Sequence, residues 1–165
     1  MISFIIVVIS LFLDVVILNN ISFLVGELTI FTPLLTFTSI ILIYSLYRKN
    51  KLLYLSICFF VGVIYDFVCT NLLFFNGLIF LLCGLLVIIF YKNIGFGYIK
   101  IILIVGILII LYEVIGAVII NILGYYNISI SDLFYKISHS LILNLIYGEV
   151  VFIILKFSPN KININ

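Results

Sequence analysis

Six apolar runs, each close to the length of a bilayer crossing, take up almost the whole of this 165-residue chain. A helix needs about 20 apolar residues to cross the hydrocarbon core. The runs cover Ile2 to Leu18, residues 30–47 with Pro33 to Tyr47 as their firm part, Leu52 to Val68, Leu72 to Tyr91, Ile101 to Leu123 and Ile137 to Phe157. Hydrophobic residues make up 67% of the chain and charged residues 8%, more apolar surface than a small domain can hide from water. The expected fold is therefore all-α: a polytopic membrane bundle of six transmembrane helices forming one domain over residues 1–165, with lipid as its main solvent. Backbone groups in lipid must be satisfied internally, which favours helices throughout.

The first run has no basic flank before it and no small-residue cleavage site after it, so it reads as a retained helix rather than a signal peptide. Lys and Arg collect in short cytoplasmic loops. Arg48, Lys49 and Lys51 separate runs two and three, Lys92 and Lys100 flank the loop between four and five, and Lys156 and Lys161 follow six. If the spans alternate, seven of the eight basic residues share one side and both termini are cytoplasmic. The outer segments, Asn19 to Thr32 and Gly124 to Lys136, then hold Glu27, Asp132 and a single base, Lys136. They also carry Asn-x-Ser triplets at Asn20 and Asn127, which matter only in a secretory pathway.

Catalytic chemistry has little to work with. The single histidine, His139, excludes a zinc site built on two helical histidines, and there is no glycine-rich phosphate loop. Cys58, Cys69 and Cys83 lack metal-ligand spacing and read as small packing residues in apolar helices. We expect a non-enzymatic protein with no metal, no cofactor and no nucleic-acid partner.

What requires explanation is a set of carboxylates within the apolar runs. Asp14, Asp66 and Glu113 lie about 20 Å from the expected cytoplasmic ends of their helices at about 1.5 Å per residue, and Glu149 on the sixth run lies nearer that end. An acid facing lipid is costly, so all four are expected to face inward. Residues three, four and seven apart share a helix face, and on that spacing small and polar residues form one stripe per helix. These stripes are Ser3, Ser10 and Asp14; Cys58, Gly62, Asp66 and Thr70; Gly77 and Gly84; Gly106, Glu113 and Gly116; and Ser140, Asn144 and Gly148. Such stripes let helix backbones approach and exchange hydrogen bonds. No basic residue is expected at the depth of the acids, and an ion path would show more polar lining, so a packing role is preferred over a proton or cation path. In that reading the carboxyl serves as a neutral hydrogen bonder, and Asn at position 66 should replace Asp with little loss.

Gly62-Val-Ile-Tyr-Asp66, followed by Phe74-Phe-Asn76-Gly77, resembles the rod-shape-determining protein MreD family of bacteria. That family carries Gly-x-x-x-Asp on one helix and opens the next near Gly-x-Asn or Gly-x-His. Pro33 at the opening of the second run has a counterpart there as well, and the similarity in size and layout covers essentially the whole chain. Where the family commonly has Gly and Pro between the two helices, this chain has Thr70 and Leu72, and the position of the Gly before the Asn is Phe74. The resemblance implies a scaffold of the cell-elongation machinery in the bacterial inner membrane. Its expected partners are an MreC-like bitopic protein, the actin-like MreB, RodA and a class B penicillin-binding protein. Asp14, Gly62, Asp66, Asn76, Gly77, Glu113, Gly116, Asn144, Gly148 and Glu149 are its candidate packing or partner residues.

The substrate-binding subunit of an energy-coupling-factor vitamin transporter has a similar six-helix build, so build alone does not separate the two. A vitamin binder should gather aromatic and polar side chains in its outer loops around a cavity. The outer segments here are short, and the chain has no Trp.

Overall fold

The computed structural model describes residues 2–21, 33–70, 74–94, 97–122, 124 and 128–157. Six α-helices follow in order: α1 (Ile2–Ile21), α2 (Leu35–Tyr47), α3 (Lys51–Tyr65), α4 (Phe75–Ile94), α5 (Tyr98–Ile122) and α6 (Ile130–Lys156). A π-helical turn, Asp66–Thr70, prolongs α3. There are no strands among the described residues. Counting α3 together with its π turn, five helices are long and apolar enough to cross a membrane, and α2 is a shorter apolar helix. The chain is a multi-pass helical membrane bundle.

The expected crossings are all helical, with two differences of consequence. First, α2 has only 13 residues, about 20 Å of helix against a hydrocarbon core of about 30 Å. The expected extension through residues 30–32 lies outside the described residues, as do Glu27, Asn127, Leu72 and Lys161. Second, α6 begins at Ile130, seven residues before the expected Ile137. Ser129 starts it: its hydroxyl accepts the backbone N–H of Asp132, and the Asp132 carboxylate accepts the Ser129 N–H in return, a reciprocal cap of two otherwise orphaned donors. Lys136 therefore sits almost two turns inside a helix rather than in an outer loop.

The centre of the bundle is α2. Every residue from Pro33 to Tyr44 is buried, and α2 packs against each of the other five helices. Because the interior surrounds it, its sequence needs no polar face. The most extensive pairing joins α3 and α4. There Gly62 lies against the α4 backbone and Gly84 against Cys58, so backbones approach where side chains are absent or small. The end of α4, the start of α5, the α2–α3 turn and the end of α6 share one end of the bundle, which we term the basic end. Arg48, Lys49, Lys51, Lys92, Lys100 and Lys156 all lie there. Tyr44, Tyr54 and Tyr91 form an aromatic cluster toward this end, with ring centroids 4.9 and 5.1 Å apart.

Candidate functional site: two helix ends capped by carboxylates inside the bundle

Two helices begin inside the bundle, where their first N–H groups have no intrahelical partners. At each start, an acid from the preceding helix takes those donors. The carboxylate of Asp14 on α1 accepts the N–H groups of Leu35 (2.9 Å) and Thr36 (2.8 Å), the first two residues of α2. Asn144 on α6 accepts the Leu34 N–H at 2.9 Å, and the Tyr65 hydroxyl of α3 donates to the Pro33 carbonyl at 3.2 Å. Three helices thus hold the start of a fourth. Asp14 and Asn144 are each 0% exposed.

Asp66 repeats the device at α4. Its Oδ2 accepts the Gly77 N–H (3.2 Å), and its Oδ1 accepts the Asn76 N–H (3.0 Å), the Asn76 side-chain amide (2.8 Å) and the Thr70 hydroxyl (3.0 Å). The amide of Asn76 also donates to Thr70 Oγ1 at 3.2 Å, and its Oδ1 accepts the Tyr112 hydroxyl of α5 at 2.6 Å. The π turn sets this up, because Asp66 stands at its first position with its N–H directed at the carbonyls of Gly62 and Val63. Single π turns of this kind recur at functional sites. A helix N-terminus carries partial positive charge, so a carboxylate held against it makes charge-assisted hydrogen bonds rather than standing alone in lipid.

These geometries distinguish Asp from Asn at position 66, which the sequence reading treats as near equivalents. Four donors converge on Asp66, and both oxygens of Asp14 face backbone N–H groups. An amide would turn one of its own N–H groups toward one of those donors. What the sites use is the carboxyl group's two acceptor oxygens.

Glu113 is handled differently. It is 2% exposed, and its Oε2 lies 3.1 Å from Lys136 Nζ on α6. The expectation that no base shares the depth of the acids is therefore wrong. The early start of α6 is the reason, since it carries Lys136 into the bundle beside α5. Tyr112, the residue before Glu113, carries the bond to Asn76, so consecutive residues of α5 serve the two groups.

The remaining candidates divide. Gly62, Gly77 and Gly148 lie in helix seams: a Cβ on Gly62 would stand 2.6 Å from the Asn76 carbonyl oxygen, one on Gly77 2.8 Å from Val63 Cγ2, and one on Gly148 3.2 Å from Thr38 Cγ2. Gly116 does not, because nothing lies within 4 Å of its added Cβ. Gly106 meets only Leu141, at 3.9 Å. The buried stripe of α5 is instead the aliphatic and aromatic row Ile101, Ile104, Val105, Leu108, Ile109 and Tyr112, which leaves both glycines at its margin. Glu149 also departs from expectation. It is exposed and accepts a hydrogen bond from the Tyr98 hydroxyl at 3.1 Å, because its neighbour Gly148 takes the inward position against α2.

Tyr65 and Tyr112 were missed by sequence reasoning and carry no local signal, being two tyrosines among eleven. The start of α6 did carry one, in Ser129-x-x-Asp132 ahead of an apolar run. His139 bonds within its own helix, with Nδ1 2.9 Å from the Tyr135 carbonyl. Among the described residues, no three His, Cys, Asp or Glu side chains gather closely enough to hold a metal ion. Asp14, Asn144 and Asp66 hold helix starts in place. No family model matches the chain, and comparison with curated proteins and with solved structures gives no match.

Proposed function

We propose that this chain is a non-enzymatic membrane scaffold of the MreD kind. In this reading it sits in the bacterial inner membrane with both termini in the cytoplasm, and it works through an MreC-like bitopic protein and MreB. Its helix faces and short loops position RodA and a class B penicillin-binding protein for wall synthesis during elongation.

The observation that carries the proposal is the behaviour of the residues behind the resemblance. Gly62, Asp66, Asn76 and Gly77 form one contact: Gly62 admits the α4 backbone, and Asp66 takes the N–H groups of Asn76 and Gly77. Phe74 stands where that family has glycine, and its φ is +63°, in the left-handed region that favours glycine. The local backbone thus has the shape a glycine-containing relative would take, although this chain reaches it with a phenylalanine. The six basic residues at one end support the orientation.

The test is complementation in a rod-shaped bacterium depleted of its own MreD, combined with crosslinking in cells. Rescue of rod shape, with an MreC-like protein recovered by crosslinking, is the expected result. A stoichiometric vitamin in native mass spectra, with no protein partner after crosslinking, would overturn the proposal in favour of a transporter subunit.

A further inference from the structure

The wall between α1 and α3 is open. These helices meet chiefly where α1 touches the π turn, and toward the basic end they diverge with α2 behind them. The gap is a lateral groove of about 460 Å³. Phe4, Val8 and Leu11 form one side and Leu53, Phe60 and Ile64 the other, while Ile43 and Tyr47 of α2 form the floor.

Three features define an occupant. The first is length: from Leu53 to Ile64 the groove follows α3 for about 16 Å, close to one leaflet's share of a hydrocarbon core of about 30 Å. The second is chemistry. The two polar side chains of the walls, Ser3 and Ser56, lie near the basic end and are already bonded, Ser3 to the Tyr47 hydroxyl at 2.8 Å and Ser56 to the Leu52 carbonyl at 3.0 Å. The rest is bulky hydrocarbon, which suits an alkyl chain. A partner helix would instead need the small residues that allow close backbone approach. The third is charge. Arg48 directly follows Tyr47, Lys49 and Lys51 complete the exposed α2–α3 turn, two residues before the groove residue Leu53, and no acid lies in that turn. Basic clusters at the membrane surface attract anionic headgroups.

We propose that this groove is a binding site for one anionic phospholipid from the leaflet at the basic end, with an acyl chain between α1 and α3 and the phosphate at Arg48, Lys49 and Lys51. The site stands independently of the scaffold proposal. It would give the surface formed by α1 and α3 a fixed lipid component.

The test uses the full chain in phosphatidylcholine nanodiscs doped with phosphatidylglycerol that carries a photoreactive acyl chain. Labelling should saturate and map to residues 4–11 and 53–64. Unlabelled phosphatidylglycerol should compete at least about fivefold better than phosphatidylcholine. Lys49→Gln combined with Lys51→Gln should abolish that preference without changing the melting temperature. Ser56→Phe, which fills the mouth, should reduce labelling severalfold while leaving the fold intact. Unsaturable labelling spread evenly to other exposed faces, such as Leu103 and Ile146, would show ordinary boundary lipid and overturn the proposal. Capture of another protein's helix, rather than lipid, by a photoreactive residue at position 60 in cells would also overturn it.

Discussion

Adding a single methyl group at Gly62 should separate α3 from α4. A Cβ built there would stand 2.6 Å from the Asn76 carbonyl oxygen, 2.7 Å from Gly77 Cα and 2.8 Å from the Asn76 carbonyl carbon, all of them backbone atoms that no rotamer change can move. Relief requires the helices to part by roughly 0.7 Å, judged against ordinary carbon contacts of about 3.5 Å. The hydrogen bonds from Asn76 N and Gly77 N to Asp66, now 3.0 and 3.2 Å, would then stretch beyond useful length. Whether the chain accepts the strain or loses those bonds, Gly62→Ala should cost about 2–3 kcal/mol. The other glycines calibrate the argument. Gly84→Ala meets the Cys58 sulfur at 2.8 Å, a side-chain atom with some freedom to move, and should cost less. Gly116→Ala meets nothing within 4 Å and should stabilise its helix by up to about 1 kcal/mol. Thermal unfolding of the purified variants in mild detergent reads the series. Gly62→Ala melting at or above the wild-type temperature, or no lower than Gly116→Ala, would refute the reasoning.

Three further substitutions probe the capped helix ends. Asp66→Asn turns an N–H toward one of four donors and should cost about 1–3 kcal/mol in the same melting assay, whereas unchanged stability would restore the near equivalence of Asp and Asn. Lys136→Met leaves Glu113 buried without its cation and should destabilise by about 3 kcal/mol; the double variant Glu113→Gln with Lys136→Met should recover much of that loss, and no recovery would mean that the pair is not coupled. Phe74→Gly removes a positive-φ cost of about 1–2 kcal/mol and gives up the stacking of a half-exposed ring on Phe59, so a net gain of about 0.5–1 kcal/mol is expected in the melting assay, and a loss would show that the ring outweighs the strain.

The class of fold could be read along the chain because the bilayer imposes a one-dimensional rule. Apolar length decides what crosses, and the runs from Ile2, Leu52, Leu72 and Ile101 all became long helices. The same periodicity correctly assigned the inward stripes of α1, α3, α4 and α6, since an acid or glycine on a helix shares its face with residues three, four and seven away. It failed on α5, where glycine spacing pointed to Gly106 and Gly116 while the buried row ran through Leu108 and Tyr112. The glycine spacing gave no weight to the bulky residues that set that face. Missing the start of α6 at Ser129 placed Lys136 in a loop and hid its pairing with Glu113.

The chemistry of the acids was beyond any local pattern. Leu34 is 110 residues from the Asn144 that accepts its N–H, and Leu35 is 21 residues from Asp14. That α2 is short, and that its start lies inside the bundle, follows only once six helices are assembled around it. Residue composition and spacing determined that the chain must live in lipid, that it is helical throughout its apolar runs and that Asp14, Asp66 and Glu113 turn inward. Tertiary packing alone determined which backbone donors those acids serve, because every helix start has orphaned N–H groups and only the assembly decides which acid stands against them.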